Sequence, residues 1–298
     1  MLRKSLAILI LIALAGAAPA KPFKELFPQL AAELDAETLA LLDGMDYRTG
    51  AVTVGDDLAR FDLGERYYFL DADDARHVLV ELWGNPPSQA TLGMVFPIDK
   101  TPLHDTWGIE VSYEDIGYVS DEDAADYDYD ALLKTMQKDT LAENTIRAEQ
   151  GYAPIRLVGW ADKPRYDADG RKLYWAKELS FGDMETNTLN YNIRALGRKG
   201  VLVVNFIAGM EQLEAVRAAT PDVLEMVSFT PGNRYSDFDP SIDTVAAVGI
   251  GGLIAGKALA KTGFLAVALV FLKKFWFVAL IPLFWLKNLI FRRRGGDS

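Results

Sequence analysis

The chain has 298 residues, half of them hydrophobic, with 31 basic and 42 acidic side chains, two histidines and no cysteine. The absence of cysteine excludes disulfides and thiolate metal sites. With the two basic residues before Lys21, and the eight basic and one acidic residues from Lys257 onward, set aside, 21 basic groups face 41 acidic ones. That net charge of −20 repels phosphate backbones, so no nucleic-acid partner is expected.

Arg3 and Lys4 precede an apolar run from Leu6 to Gly16 and the small-residue triplet Ala18-Pro19-Ala20. This order predicts a signal peptide over residues 1–20, since the run is shorter than the roughly 20 residues of a spanning helix. Phe23, Leu26, Phe27, Leu30 and Leu34 recur every three or four residues and predict a helical lead-in over 21–45, with Asp35 capping its second helix. Strand and helix signals then fill residues 46–231. A hairpin is predicted over Val52–Leu63 with its turn at Gly55-Asp56, and Asp71 caps a helix stopped by Gly84 and Pro86. Strands are predicted over 92–97, 107–113, 155–160, 172–181, 189–196 and 201–208, a long helix over 129–150, and short helices over 211–218 and 222–227. Because strands and helices come in blocks, the predicted class is α+β: an antiparallel sheet with helices packed on it.

Residues 232–243 are polar and turn-rich and read as a linker. Residues 244–291 hold two apolar runs studded with lysines and read as a membrane anchor of one or more helices. Arg292, Arg293 and Arg294 place the tail 292–298 in the cytoplasm by the positive-inside tendency. Gly252 and Gly256 form a GxxxG pair suited to homo-oligomerisation between membrane helices. The polar linker predicts that a chain running from Lys21 to Asp237 folds without its anchor.

Several motifs carry a resemblance. They are Trp83-Gly-Asn-Pro-Pro87, Tyr113-Glu-Asp-Ile-Gly-Tyr-Val119, Gly159-Trp160 with Pro164-Arg-Tyr-Asp167, Leu173-Tyr-Trp-Ala-Lys177, Asn190-Tyr-Asn-Ile-Arg194 and Leu196-Gly-Arg-Lys-Gly200. Together they resemble a bacterial family of membrane-anchored proteins, domain of unknown function 2167. The resemblance implies a signal peptide, an exported domain and a C-terminal anchor, and it implies no activity; the localisation expected is the bacterial inner membrane, with the main domain outside the cytoplasm. The closing order of hairpin, helix and VSFTPG is also similar to Mog1/PsbP-like domains.

Residues that could carry chemistry are sparse. The acidic run from Asp121 to Asp130 has Asp126, Asp128 and Asp130 at alternate positions, but Ala131 and Gln137 stand where a calcium loop needs Gly and Glu. It reads instead as a helix N-terminus, where acids favour the dipole. No metallopeptidase, nucleophile-elbow or phosphate-loop motif is present, and no cofactor or metal is expected. The candidate binding surface is aromatic and basic: Trp83, Trp160, Arg165, Tyr166, Trp175, Tyr191, Arg194 and Arg198. The function expected is a membrane-anchored extracytoplasmic binding or protein-interaction module. Its partners would be the membrane and an envelope protein with a basic face. The alternatives are a hydrolase using Asp121, Asp123 and Asp167, or a pore built by the glycine-rich tail.

Overall fold

The computed structural model describes residues 20–84, 91–122, 124, 128–182 and 184–255. The expected signal peptide up to Pro19, and the expected anchor from Gly256 onward, lie outside them. Among the described residues no helix is long and apolar enough to cross a membrane.

The expected α+β class holds. Seven strands form one sheet, every neighbouring pair antiparallel: β3 (Tyr67–Asp71), β4 (Thr91–Pro97), β5 (Gly108–Glu114), β6 (Ile155–Asp167), β7 (Lys172–Phe181), β8 (Thr188–Leu196) and β9 (Val201–Gly209), in the order β3-β4-β5-β9-β8-β7-β6. A smaller sheet joins β1 (Ala51–Val54), β2 (Ala59–Asp62) and β10 (Val227–Phe229). Strand side chains alternate between faces. One face of the large sheet presents Phe69, Val95, Ile109, Val111, Tyr191, Ile193, Val204 and Phe206 to the small sheet and to α6 (Leu213–Met226), making the main apolar core.

The other face is divided. At the β3–β4 end it is covered by the lead-in helices α1 (Phe23–Leu26), α2 (Pro28–Ala31) and α3 (Ala36–Asp43) with α4 (Ala72–Arg76), around Phe23, Tyr47, Tyr68 and Phe96. The lead-in is broken where one helix was expected, because Pro28 has no N–H to continue it and pushes Phe27 out of helical space. Asp35 caps α3 as predicted, accepting from the N–H groups of Glu37 and Thr38. At the β6–β7 end lie α5 (Tyr129–Glu149) and α7 (Ile250–Ala255), around Leu132, Met136, Leu173, Trp175, Val201 and Ile254.

Residues 232–255 are not a free tether. Arg198 donates to Asp243 at 2.7 Å, Tyr118 stacks on Tyr235 and Phe238, and the N–H of Ala246 donates to the carbonyl of Tyr118 at 2.8 Å. Ile250, Leu253 and Ile254 are buried. Residues 232–243 are polar because their side chains bond the domain, and that composition alone reads as a linker; residues 244–255, expected to open the membrane anchor, instead pack on the domain because the apolar face of their short helix completes its core. Gly252 sits in α7 with Val248 so close that a Cβ would meet it at 2.7 Å.

Candidate functional site

Between the two helical covers, the divided face of the sheet carries polar side chains. β8 shows why in its sequence: Leu189, Tyr191, Ile193 and Ala195 enter the main core, so Asn190, Asn192 and Arg194 must point the other way. Register extends the row. Glu110 of β5 pairs with Asn205 of β9, Asn205 with Asn192 of β8, and Asn192 with Trp175 of β7. Arg194 lies one pleat to one side, and Asn190 with Lys177 one pleat to the other. The Arg194 guanidinium folds back over the row, 5.3 Å from the centre of the Trp175 ring. Such a cation over an indole face is attractive.

The strip is poorly satisfied. Trp175 is buried and its indole N–H has no partner, and neither does Arg194 Nε nor Asn205 Oδ1, all three atoms being sealed from solvent. Buried polar atoms without partners are uncommon and mark strain, catalysis or a missing ligand or water. Among the described residues neither Lys177 nor Arg194 forms an ion pair. Burial, reinforced by the like charge of Arg194, pulls the Lys177 ammonium down to about 8. Burial likewise lowers Arg194, opposed by the more distant charges of Glu114 and Glu110. Burial raises the Glu110 carboxyl, against a hydrogen bond from Ser112 at 3.3 Å.

The eight residues selected from sequence scatter over the fold. Trp175 and Arg194 meet in the strip, and Trp160, the register partner of Lys177, borders it while its indole donates to the Tyr129 carbonyl at 3.2 Å. Tyr191 belongs to the opposite core, against Phe206, and Arg165 shares a register position with Tyr174, which packs on that core. Trp83 packs under the lead-in helices, donating to Pro102 at 3.0 Å. Tyr166 donates to Asp121 at 2.6 Å, and Arg198 holds Asp243. Sequence reasoning missed Lys177, Asn190, Asn192, Asn205 and Glu110. The available signal was the alternation of β8, three polar side chains two residues apart on a strand whose other face is wholly apolar.

The carboxylates considered for hydrolysis are otherwise engaged. Burial raises Asp121, but hydrogen bonds from Tyr166 and Tyr235 and the Arg171 charge outweigh it and hold the carboxyl below its ordinary value. Asp167 accepts the N–H groups of Asp169 and Gly170 in a hairpin turn. Asp123 lies outside the described residues. Among the described residues no group of three or more His, Asp or Glu side chains is placed to hold a metal. A separate cavity of about 650 Å³ opens at the far end of β7 and β8, between Tyr118, Arg171, Lys172, Phe229 and Tyr235. There Arg171 is tied to Asp121 and Lys172 donates to the Leu224 carbonyl at 2.7 Å, so these two cations already have partners.

The sequence matches, over residues 46–284, the family described as protein of unknown function (DUF2167). The chain belongs to this family. The DUF2167 span begins after the lead-in helices, contains the whole polar strip and continues past Ala255. No curated protein matches the chain in sequence. Among solved structures, the solution structure of cyanobacterial PsbP (CyanoP) from Synechocystis sp. PCC 6803 is similar at 10% identity and a TM-score of 0.35, over 60% of this chain and 91% of that one. A likeness so faint says nothing about a site.

Proposed function

We propose that this DUF2167 member is an exported, membrane-anchored module that binds a small polar ligand on the strip formed by Glu110, Asn205, Asn192, Trp175, Arg194 and Lys177. The observation that carries the reading is the set of sealed, unpartnered polar atoms on Trp175, Arg194 and Asn205, converging on one face between two helical covers. An apolar replacement would stabilise the fold better than unpaired polar groups do, so their presence supports a role other than stability. Binding is favoured over hydrolysis because Asp121 and Asp167 are fixed by structural partners. Export and anchoring rest on the signal-like N-terminus, the apolar runs after residue 263 and the Arg292–Arg294 triplet.

The full chain in detergent, heated with and without a small-molecule extract of the host envelope, tests the ligand reading. The native chain should melt higher with the extract. Arg194→Met should not respond. An equal response, or none from either protein, would overturn it. A C-terminal fluorescent-protein fusion should be bright and a C-terminal alkaline phosphatase fusion inactive if the tail is cytoplasmic.

A further inference from the structure

The free groups on the strip differ in kind, and the difference specifies a ligand. Trp175 Nε1 and Arg194 Nε, both without partners, are donors only, and an ammonium such as that of Lys177 can likewise only donate. Trp175 Nε1 and Arg194 Nε are sealed donors without an acceptor, while Arg194 Nη1 reaches the Ile193 carbonyl at 3.5 Å and the half-buried Lys177 adds a second cation beside them. Holding two half-buried like charges close together is unfavourable, the carboxylates of Glu114 and Glu110 offset it for Arg194 only from a distance, and an anion between the two cations relieves it. At the β5–β9 end of the same row the free groups reverse. Asn205 Oδ1 is an acceptor without a partner, and Glu110 is a buried carboxyl held by the Ser112 hydroxyl. Neighbouring strands are about 4.8 Å apart, so Asn205 on β9 stands two spacings, about 10 Å, from Trp175 on β7, and the Arg194 side chain, which starts on β8 between them, narrows that gap.

Resting on the ligand-site reading above, we infer that the strip binds a small oxyanion that also carries a hydrogen-bond donor: its anionic oxygens lie between Arg194, Lys177 and the Trp175 indole, and its hydroxyl or amine faces Asn205. Two sources share this chemistry, a hydroxylated or aminated carboxylate and a phosphate, and the probes below separate them.

The full chain in detergent is titrated by calorimetry with glycolate, acetate, inorganic phosphate and, as the opposite charge, tetramethylammonium. Glycolate or phosphate should bind, acetate should bind more weakly than glycolate for want of a donor, and tetramethylammonium should not bind. Whichever of glycolate and phosphate binds more tightly names the source. Lys177→Met and Arg194→Met each remove one charged donor and should weaken binding by about tenfold or more. Lys177→Met removes a cation whose burial opposes its charge and should not lower the melting temperature, whereas Arg194→Met also loses the contact with the Trp175 ring, so Lys177→Met is the variant expected to stay folded and no longer bind. Arg194→Lys, which keeps the charge but loses Nε, should fall between. Binding of tetramethylammonium, or undiminished oxyanion binding in both Met variants, would overturn the inference. If the envelope extract stabilises the native chain while no oxyanion binds, the ligand site stands and its assignment to an oxyanion fails. If neither acts, both fail.

Discussion

Lys177 carries a charge that its surroundings oppose. Its folded value of about 8 lies below the ordinary 10.5, first through burial and then through Arg194, whose own acidic neighbours Glu110 and Glu114 remain beyond ion-pair distance. Between those two pH values the unfolded chain binds a proton that the folded chain has lost. Stability must therefore rise with pH across that window, by about 3 kcal/mol in all. Chemical denaturation of the native chain and of Lys177→Met at pH 7.5 and pH 10.5 should show the difference between them closing as pH rises; a constant difference would refute it. Ligand affinity runs the other way, because an anion favours the protonated amine, so oxyanion binding should weaken as pH climbs through 8. Sequence alone exposed part of this site. Trp175 and Arg194 stand out as an aromatic and a cation in strands, whereas Asn192 and Asn205 read as ordinary strand residues until register sets them side by side. Lys177 is hidden for another reason: the burial that lowers its charge comes from the fold.

Edges and breaks decide the behaviour of individual elements. β6 ends the large sheet, and an open edge invites pairing with another chain. Here α5 supplies the missing partners. Gln137 donates to the carbonyls of Leu157 and Val158 at 3.3 and 3.0 Å, and Asn144 both donates to and accepts from Ile155 at 2.8 Å. Asn144→Leu leaves an N–H and a carbonyl of the edge without partners, at a cost of about 1–3 kcal/mol, and should raise the tendency to associate. Thermal melting with light scattering checks both effects. Gly93 is the second sensitive point. Its φ of 151° accompanies a register shift in β4, and a Cβ there would meet Phe69 Cζ at 2.2 Å and the Leu70 carbonyl at 2.5 Å. Gly93→Ala therefore forces β3 and β4 apart, and should destabilise by about 1–3 kcal/mol or more, measured by denaturant unfolding. Periodicity made most of these elements legible, from the β1–β2 hairpin to α5. It placed the end of β6 too early, because Lys163-Pro164 reads as a break while the strand absorbs it through successive register shifts up to Arg165. It also divided α6 in two at Pro221, which the helix carries inside its span.

At the scale of the whole molecule, the question is where the folded domain ends. Composition put the boundary before residue 238, since residues 232–243 are polar and apolar runs follow. The structure continues the domain through Ala255. Asp243, its carboxyl held low first by the hydrogen bond from Arg198, fastens the segment to the turn after β8. Gly117, at a φ of 91°, lets the Thr244 carbonyl approach so closely that a Cβ would meet it at 2.7 Å. Beyond this clamp, Ile250, Leu253 and Ile254 complete the core that holds Val119, Leu132, Met136 and Trp175. Burying each of three such side chains contributes roughly 1.5–3 kcal/mol, about 5–9 kcal/mol together. That compares with about 5–15 kcal/mol for the net stability of a whole domain. A chain cut after Asp237 forfeits these contacts and uncovers the apolar floor beneath α7, beside Trp175. It should aggregate or melt broadly, while a chain from Lys21 to Ala255 should melt cooperatively. Circular dichroism melts of the two, with limited proteolysis, decide the matter: a cut at Asp237 that melts within a few degrees of the longer chain would show that α7 is an accessory of the anchor, and a low, broad transition would show that the domain closes only when α7 is in place.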